Sequence, residues 1–190
     1  MASTMDTRTV NGIALPPAGV YAFDKHHTTV GFVARHMLSK VRGRFTAFDG
    51  EVTIGEKAED SSVRVEIQVD SITTDNQMRD DHLRGADFFD VESNPTWAFT
   101  STALRVGTGS AFELDGDLTV HGITRPVTLQ GEFLGSGPGT QGGTLAAFSA
   151  KTTVDREDWD LTWNVAVETG GFLVGKKVDL EIETELLLQD

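Results

Sequence analysis

An all-β fold of roughly eight antiparallel strands is what this sequence predicts, from three observations. Apolar and polar residues alternate at period 2 in run after run, most sharply in Val63-Arg-Val65-Glu-Ile67-Gln-Val69. Glycine-bearing breaks separate the runs at Asp49-Gly50, Gly107-Thr-Gly109, His121-Gly122, Gly135-Ser-Gly-Pro-Gly139 and Gly170-Gly171. Glycine supplies turn geometry that residues with a Cβ reach only at a cost. The alternation is also one-sided, which suits antiparallel pairing with one covered face. Strands closed into an eight-stranded barrel would enclose side chains or one small ligand, while a two-sheet sandwich would show the same alternation.

In chain order, residues 1–18 have no clear period and end at Pro16-Pro17. They read as an N-terminal arm, mobile or peripheral, beside a single barrel domain over 19–190. Successive strand side chains point to opposite faces, so Val30, Phe32 and Ala34 share one face of an early strand. Val63, Val65, Ile67 and Val69 share another. The β pattern then breaks, and one short helix is expected around residues 75–84, capped by Thr74 or Asp75. Met78, His82 and Leu83 fall on its neighbouring turns, and Phe88-Phe89 pack after it. Asn94-Pro95 ends the excursion and Trp97-Ala-Phe99-Thr resumes a strand. Later faces are Phe112, Leu114, Leu118 and Val120; Phe148, Ala150 and Val154; and Val178, Leu180 and Ile182. The Gly-rich stretch Gly135 to Gly143 reads as a flexible hairpin.

The 190 residues fit one domain. Only 38% are apolar, in keeping with a barrel that has a wet outer face or a partly open interior. Lys and Arg number 16 against 29 Asp and Glu, a formal charge of −13. Nucleic acid needs clustered cations to neutralise its phosphates, so it is excluded as a partner, and an anionic membrane surface is disfavoured for the same reason. There is no cysteine, which removes disulfides, thiolate metal ligands and a cysteine nucleophile together. No stretch approaches the ~20 apolar residues of a membrane span. The first residues hold no apolar run of the signal-peptide kind, so a cytoplasmic location is expected, or a periplasmic or secreted one if a leader has been removed.

Chemistry-bearing residues are sparse. His26-His27 read as adjacent strand residues that point to opposite faces, a poor arrangement for sharing a metal. His36 lies nine residues further along what reads as the same strand, and no HxH or HExxH spacing is present. Asp80-Asp81, next to Arg79 and His82, would serve as a general-base pair, but charges on a helix face pairing with Arg79 and Arg84 explain them better. There is no Gly-x-Ser-x-Gly, no Gly-x-Gly-x-x-Gly at a strand-to-helix junction and no Walker pattern. No catalytic residue and no metal ligand is therefore assigned; a histidine-dependent metal-binding or redox-linked enzyme is the alternative. The aromatics, 11 Phe, 3 Trp and 1 Tyr, read first as barrel core and second as the lining of an apolar tunnel.

Tyr21-Ala-Phe-Asp-Lys-His26-His-Thr-Thr-Val-Gly-Phe32, Val41-Arg-Gly43-Arg-Phe45, Ser71-Ile-Thr-Thr74, Arg79-Asp-Asp-His-Leu83, Asp87-Phe-Phe-Asp90, Pro95-Thr-Trp-Ala-Phe99, Gly116-Asp-Leu-Thr-Val-His-Gly122 and Val154-Asp-Arg156 stand in this order along the chain. Together these stretches resemble the YceI-like family of bacterial lipid-binding proteins. The likeness runs from about Val20 to the end of the chain. It departs after Arg156, where Trp159 and Trp163 stand in a segment in which relatives often show a Phe-Gly pair. The resemblance implies a lipocalin-like barrel of eight antiparallel strands with an elongated pocket for a polyisoprenoid chain, such as a quinone tail or a polyprenyl diphosphate. It implies a non-catalytic protein, a homodimer in many members, and no cofactor apart from the lipid.

On that expectation the tail lies against Phe32, Phe45, Trp97, Phe99, Phe112, Leu118, Val120, Phe148 and Trp163. A polar head meets His36, Arg79 or His82 near the mouth. A strand of ~10 residues spans about 33 Å, which at a tilt of ~40° gives a lumen roughly 25 Å deep. Each methylene buried there contributes roughly 0.8 kcal/mol, so the ligand needs few polar contacts.

Overall fold

Every long alternating run forms a strand, because pairing on both edges satisfies the backbone while period 2 sends all the apolar side chains to one face. The structure, a computed structural model, describes residues 7–10, 12–139, 142–166 and 173–189. At the start, β1 (Arg8–Val10) and β2 (Ile13–Leu15) pair as a small antiparallel hairpin. The barrel follows with β3 (Gly19–Phe23), β4 (Thr29–His36), β5 (Ser39–Phe45), β6 (Phe48–Ile54), β7 (Ser62–Gln68) and β8 (Ile72–Thr73). After the helix α1 (Gln77–Arg84) come β9 (Thr96–Val106), β10 (Ala111–Val120), β11 (Ile123–Pro138), β12 (Thr144–Asp155) and β13 (Val174–Leu188).

These segments make a closed antiparallel barrel of eight staves. Two of the staves are interrupted strands: β3 with β4, and β5 with β6. From β6 the ring passes through β7, β9, β10, β11 and β12 to β13. The other edge of β13 pairs with β4 over Val174–Glu183 and with β3 over Leu186–Leu188, which closes the ring. The interruption between β3 and β4 is bridged by Asp24 N donating to Glu185 O and Glu185 N donating to His27 O. The interruption between β5 and β6 lies at Thr46 and Ala47, whose amides donate to Ser71 O and Ser71 Oγ. That bend brings β8 beside β5 and leaves room for α1 at one end of the barrel.

The inward faces are those read from the alternation. Val63, Val65 and Ile67 on β7, Phe112, Leu114, Leu118 and Val120 on β10, and Val178, Leu180 and Ile182 on β13 all line the interior. Val69 is fully buried but belongs to a 3-10 turn, Val69–Ser71, and not to the strand. The main core cluster gathers at the α1 end around Phe45, Ile72, Phe88, Phe89, Trp97 and Trp159. A smaller one, with Tyr21, Val52, Ile54, Phe133, Ala146 and Leu186, lies at the opposite end.

Four local expectations change. His26 and His27 lie in the turn between β3 and β4, not on a strand, because Asp24 accepts from His26 N and folds the chain back. The cap of α1 is Asn76, whose side chain accepts from Arg79 N at 3.1 Å. Thr74 is already occupied by Asp80 and Arg79, and Asp75 takes a left-handed turn with φ 57°. Gly135 to Pro138 continue β11 instead of forming a loop; Gly135, at φ 136°, accommodates a register shift against β12. Gly50 sits within β6, where the backbone of Arg64 and Val65 on β7 approaches too closely for a Cβ. Gly170 and Gly171 lie outside the described residues.

In the N-terminal arm, Arg8 donates to Pro16 O, Gly55 O and Glu56 O and pairs with the Glu56 carboxylate. Pro16 is fully buried, and Tyr21 Oη donates to Pro17 O at 2.9 Å. The described part of the arm is thus a hairpin pinned to the barrel end away from α1. Among the described residues no helix is long and apolar enough to cross a membrane.

Candidate functional site

Within the barrel runs a cavity of about 320 Å³, lined by every stave. Its wall is apolar almost throughout: among the lining residues only Ser61, Ser110, Thr184, Arg156 and the indole N–H of Trp97 carry side-chain polar groups. A volume of this size falls in the range of small-molecule sites. Leu15 borders the cavity at the hairpin end and Leu83, Phe88, Phe89 and Leu161 at the α1 end.

The cavity stays open although many phenylalanines face it. Phe32 pairs across the sheet with Gly43, and Phe112 with Gly131, while Phe99 lies against Gly116. A Cβ on any of these glycines would overlap the facing ring. Each ring therefore occupies the space over bare backbone where a side chain on the glycine would stand.

Arg156 is the one ionisable group among the lining residues. It begins a 3-10 turn, Arg156–Trp159, that follows β12. The turn is fixed by Asp155, which accepts from Glu157 N, and by Trp159, whose Nε1 donates to Leu118 O at 3.1 Å. Arg156 is only 5% exposed. Its Nε donates to Gly175 O at 3.0 Å and its Nη1 to Leu161 O, but Nη2 has no partner. Burial pushes its pKa down, against the pull of the nearby Glu157 and Asp155 charges. Those carboxylates are engaged elsewhere, Glu157 with Lys176 at 2.7 Å and Asp155 with Lys177 at 3.4 Å. The only other buried side-chain donor left unpaired among the described residues is Nε1 of Trp97.

Of the twelve residues expected to touch a ligand, the structure brings eight to the cavity wall: Phe32, Phe45, Trp97, Phe99, Phe112, Leu118, Val120 and Phe148. The other four lie off it. His36 ends β4, paired by backbone with Val174 and Ser39. Arg79 clamps Thr74, with Nε on Thr74 Oγ1 at 2.7 Å and Nη2 on Thr74 O at 2.9 Å. His82 reaches Asp87 at 3.3 Å and meets the rings of Phe88 and Trp163 edge-on. Trp163 stacks on Phe88, which itself faces the cavity, so Trp163 and His82 stand one layer outside the wall.

The carboxylates of α1 are structural. Asp80, buried, accepts from Thr74 N, Thr74 Oγ1 and Thr73 Oγ1, while Asp81 pairs with Arg84. Burial pushes the Asp80 carboxyl up, but the hydrogen bonds from Thr74 and Thr73 outweigh it and hold the group below the usual range. On the outside of the barrel, Asp24, His27 and Glu185 bring an imidazole nitrogen and two carboxylate oxygens within 4.8 Å of one another. The hydrogen bond that His27 Nδ1 donates to the Asp24 carboxylate raises the His27 pKa and lowers that of Asp24.

The omission that matters is Arg156, and its signal was present. Counting by two along the face Phe148, Ala150, Val154 arrives at Arg156. An arginine in an inward register is unusual, because that register belongs to apolar side chains.

A sequence profile described as the YceI-like domain matches residues 21–186. Protein YceI of Escherichia coli O157:H7 is 36% identical over 173 residues, covering 88% of this chain and 86% of that protein. Among solved structures, BcnA of Burkholderia cenocepacia superposes with a TM-score of 0.72 at 23% identity, over 86% of this chain and 98% of that one. A polyisoprenoid binding domain from Saccharophagus degradans superposes with a TM-score of 0.61 at 11% identity, over 91% and 100%. The profile spans most of the chain, a relative of substantial identity covers nearly all of it, and the barrel is shared: the protein belongs to the YceI-like domain family.

Proposed function

We propose that the barrel binds a long-chain isoprenoid-type lipid, with a quinone tail or a polyprenyl diphosphate as the candidates, for carriage, storage or sequestration. The observation that carries this reading is an apolar lumen of about 320 Å³ in which three of the lining phenyl rings pack over glycines. A barrel built only to fold would gain stability by filling that space. Membership of the YceI-like family, and the fold shared with a domain described as polyisoprenoid-binding, support the same class of ligand. Burying ten methylene groups contributes about 8 kcal/mol, near micromolar affinity before association costs.

A binding role without chemistry accords with the wall. Acid–base or nucleophilic catalysis needs groups that reach a reacting atom. Among the described residues Arg156 is the one titratable side chain lining the cavity, and an arginine does not give up its proton near neutral pH.

The test is native purification followed by organic-solvent extraction and mass spectrometry, with titration of added prenyl compounds into delipidated protein. A stoichiometric isoprenoid lipid, or saturable binding of the added compound, is expected. An empty extract together with no binding would overturn the proposal.

A further inference from the structure

We propose that Arg156 anchors the polar end of the cavity ligand, and that this end is a single acceptor group, a carbonyl or a carboxylate, and not a diphosphate. The inference rests on the lipid-binding reading above and narrows it.

Arg156 is a permanent cation, 5% exposed, in the wall of an otherwise apolar space. Two of its nitrogens are fixed by carbonyls of Gly175 and Leu161, which sets the plane of the guanidinium. The third, Nη2, is buried and unpartnered. A buried donor without an acceptor costs free energy comparable to a lost hydrogen bond, and more when it is charged. No carboxylate of the described residues lies within 4 Å of the guanidinium to offset that cost. An acceptor carried in by a ligand would remove it.

The place along the barrel fits a head group. β9 begins and β12 ends at the α1 end, so Trp97 and Arg156 lie at the same end of the lumen. Trp97 holds the second unpaired donor, again on a cavity-lining residue. A ligand anchored at Arg156 would send its tail along Phe99 and Phe112 towards the cluster of Tyr21 and Phe133 at the far end.

The donor count selects the head. One free guanidinium nitrogen and one neutral indole N–H match one carbonyl or carboxylate. A diphosphate would bring several charges into a wall with a single cation. The unmatched charge would be buried at a large cost.

The experiment compares C15 isoprenoid probes with one tail and different ends on delipidated protein: farnesoic acid, farnesylacetone, farnesene and farnesyl diphosphate. Farnesoic acid and farnesylacetone are expected to bind about 10- to 100-fold more tightly than farnesene, the range of a charge-assisted hydrogen bond; which of the two is tighter separates carboxylate from carbonyl. Farnesyl diphosphate is expected to be the weaker ligand. Arg156→Met should erase the advantage of the acid and the ketone, read as the ratio of their affinities to that of farnesene within the same protein. If Arg156→Met does not fold, Trp97→Phe and the wild-type series of ends still carry the test. Equal affinity for farnesene and the oxygen-bearing probes, or diphosphate binding most tightly, overturns the anchor while the lipid-binding reading survives. Failure of every probe, farnesene included, overturns the lipid-binding reading instead.

Discussion

At Gly131 the side chain is absent where the Phe112 ring lies, and the same relation holds for Gly43 with Phe32 and Gly116 with Phe99. The size of the lumen is thus decided by hydrogen atoms on three glycines. Gly131→Val is expected to push the Phe112 ring off the wall into the lumen, at a cost of about 1–3 kcal/mol in stability from overpacking. The lipid recovered from the purified protein should fall, and adding Phe112→Ala should restore it. Denaturant melts and quantitative extraction check both parts; a Gly131→Val protein that retains as much lipid as the wild type would show that the glycine does not set the bore. Alternation placed Phe32, Phe99 and Phe112 inward. Their cross-strand neighbours depend on register, which period 2 leaves open, so the glycine backing was not legible.

The element whose role changed most is α1. Its charged residues suggested a mouth that greets a head group, yet Arg79 and Asp80 both turn back onto Thr73 and Thr74, and Arg84 donates to Asp70 O and Ile72 O. They fasten the helix to β8, and β8 to the barrel end. The Asp80 carboxyl, held below its unfolded value of about 3.9, contributes stability that is fully present above that pH and is lost as pH falls through the folded value. The wild type should therefore lose melting temperature as pH drops below about 4, partly through Asp80. Asp80→Asn should be less stable at pH 7 by about 1–3 kcal/mol and show a shallower loss in that acid range, read by thermal melts across pH. Equal acid slopes in the two proteins would place the acid sensitivity elsewhere. The helix was readable from the broken alternation, although its cap is Asn76 and not Thr74 or Asp75. What its side chains hold was not, because Thr74 and Asp80 meet only after the chain turns at Asp75.

For the whole molecule, a closed ring has no free sheet edge between staves, and its interior is one continuous apolar space. A ligand that binds only the folded barrel must stabilise it. At a hundredfold excess over Kd the gain is about 2.7 kcal/mol, or roughly 5–10 °C in Tm for a domain of this size. Delipidated protein should melt lower by that order and recover on adding the extracted lipid; an unchanged Tm would mean that the lipid does not occupy the barrel. By itself the sequence determined the all-β class, the inward faces and the aromatic wall, because side-chain direction in a strand follows from counting along one segment. Arg156 continues the count by two past Val154, but it stands in the 3-10 turn after β12, and that turn fixes its inward place. Only the tertiary structure decided that the strands close into a ring, that three phenyl rings rest on glycines, that His36, Arg79, His82 and Trp163 stand off the wall, and that Arg156 keeps one donor free. Each of these is a relation between segments far apart in the chain, fixed by strand register and closure, which no local pattern contains.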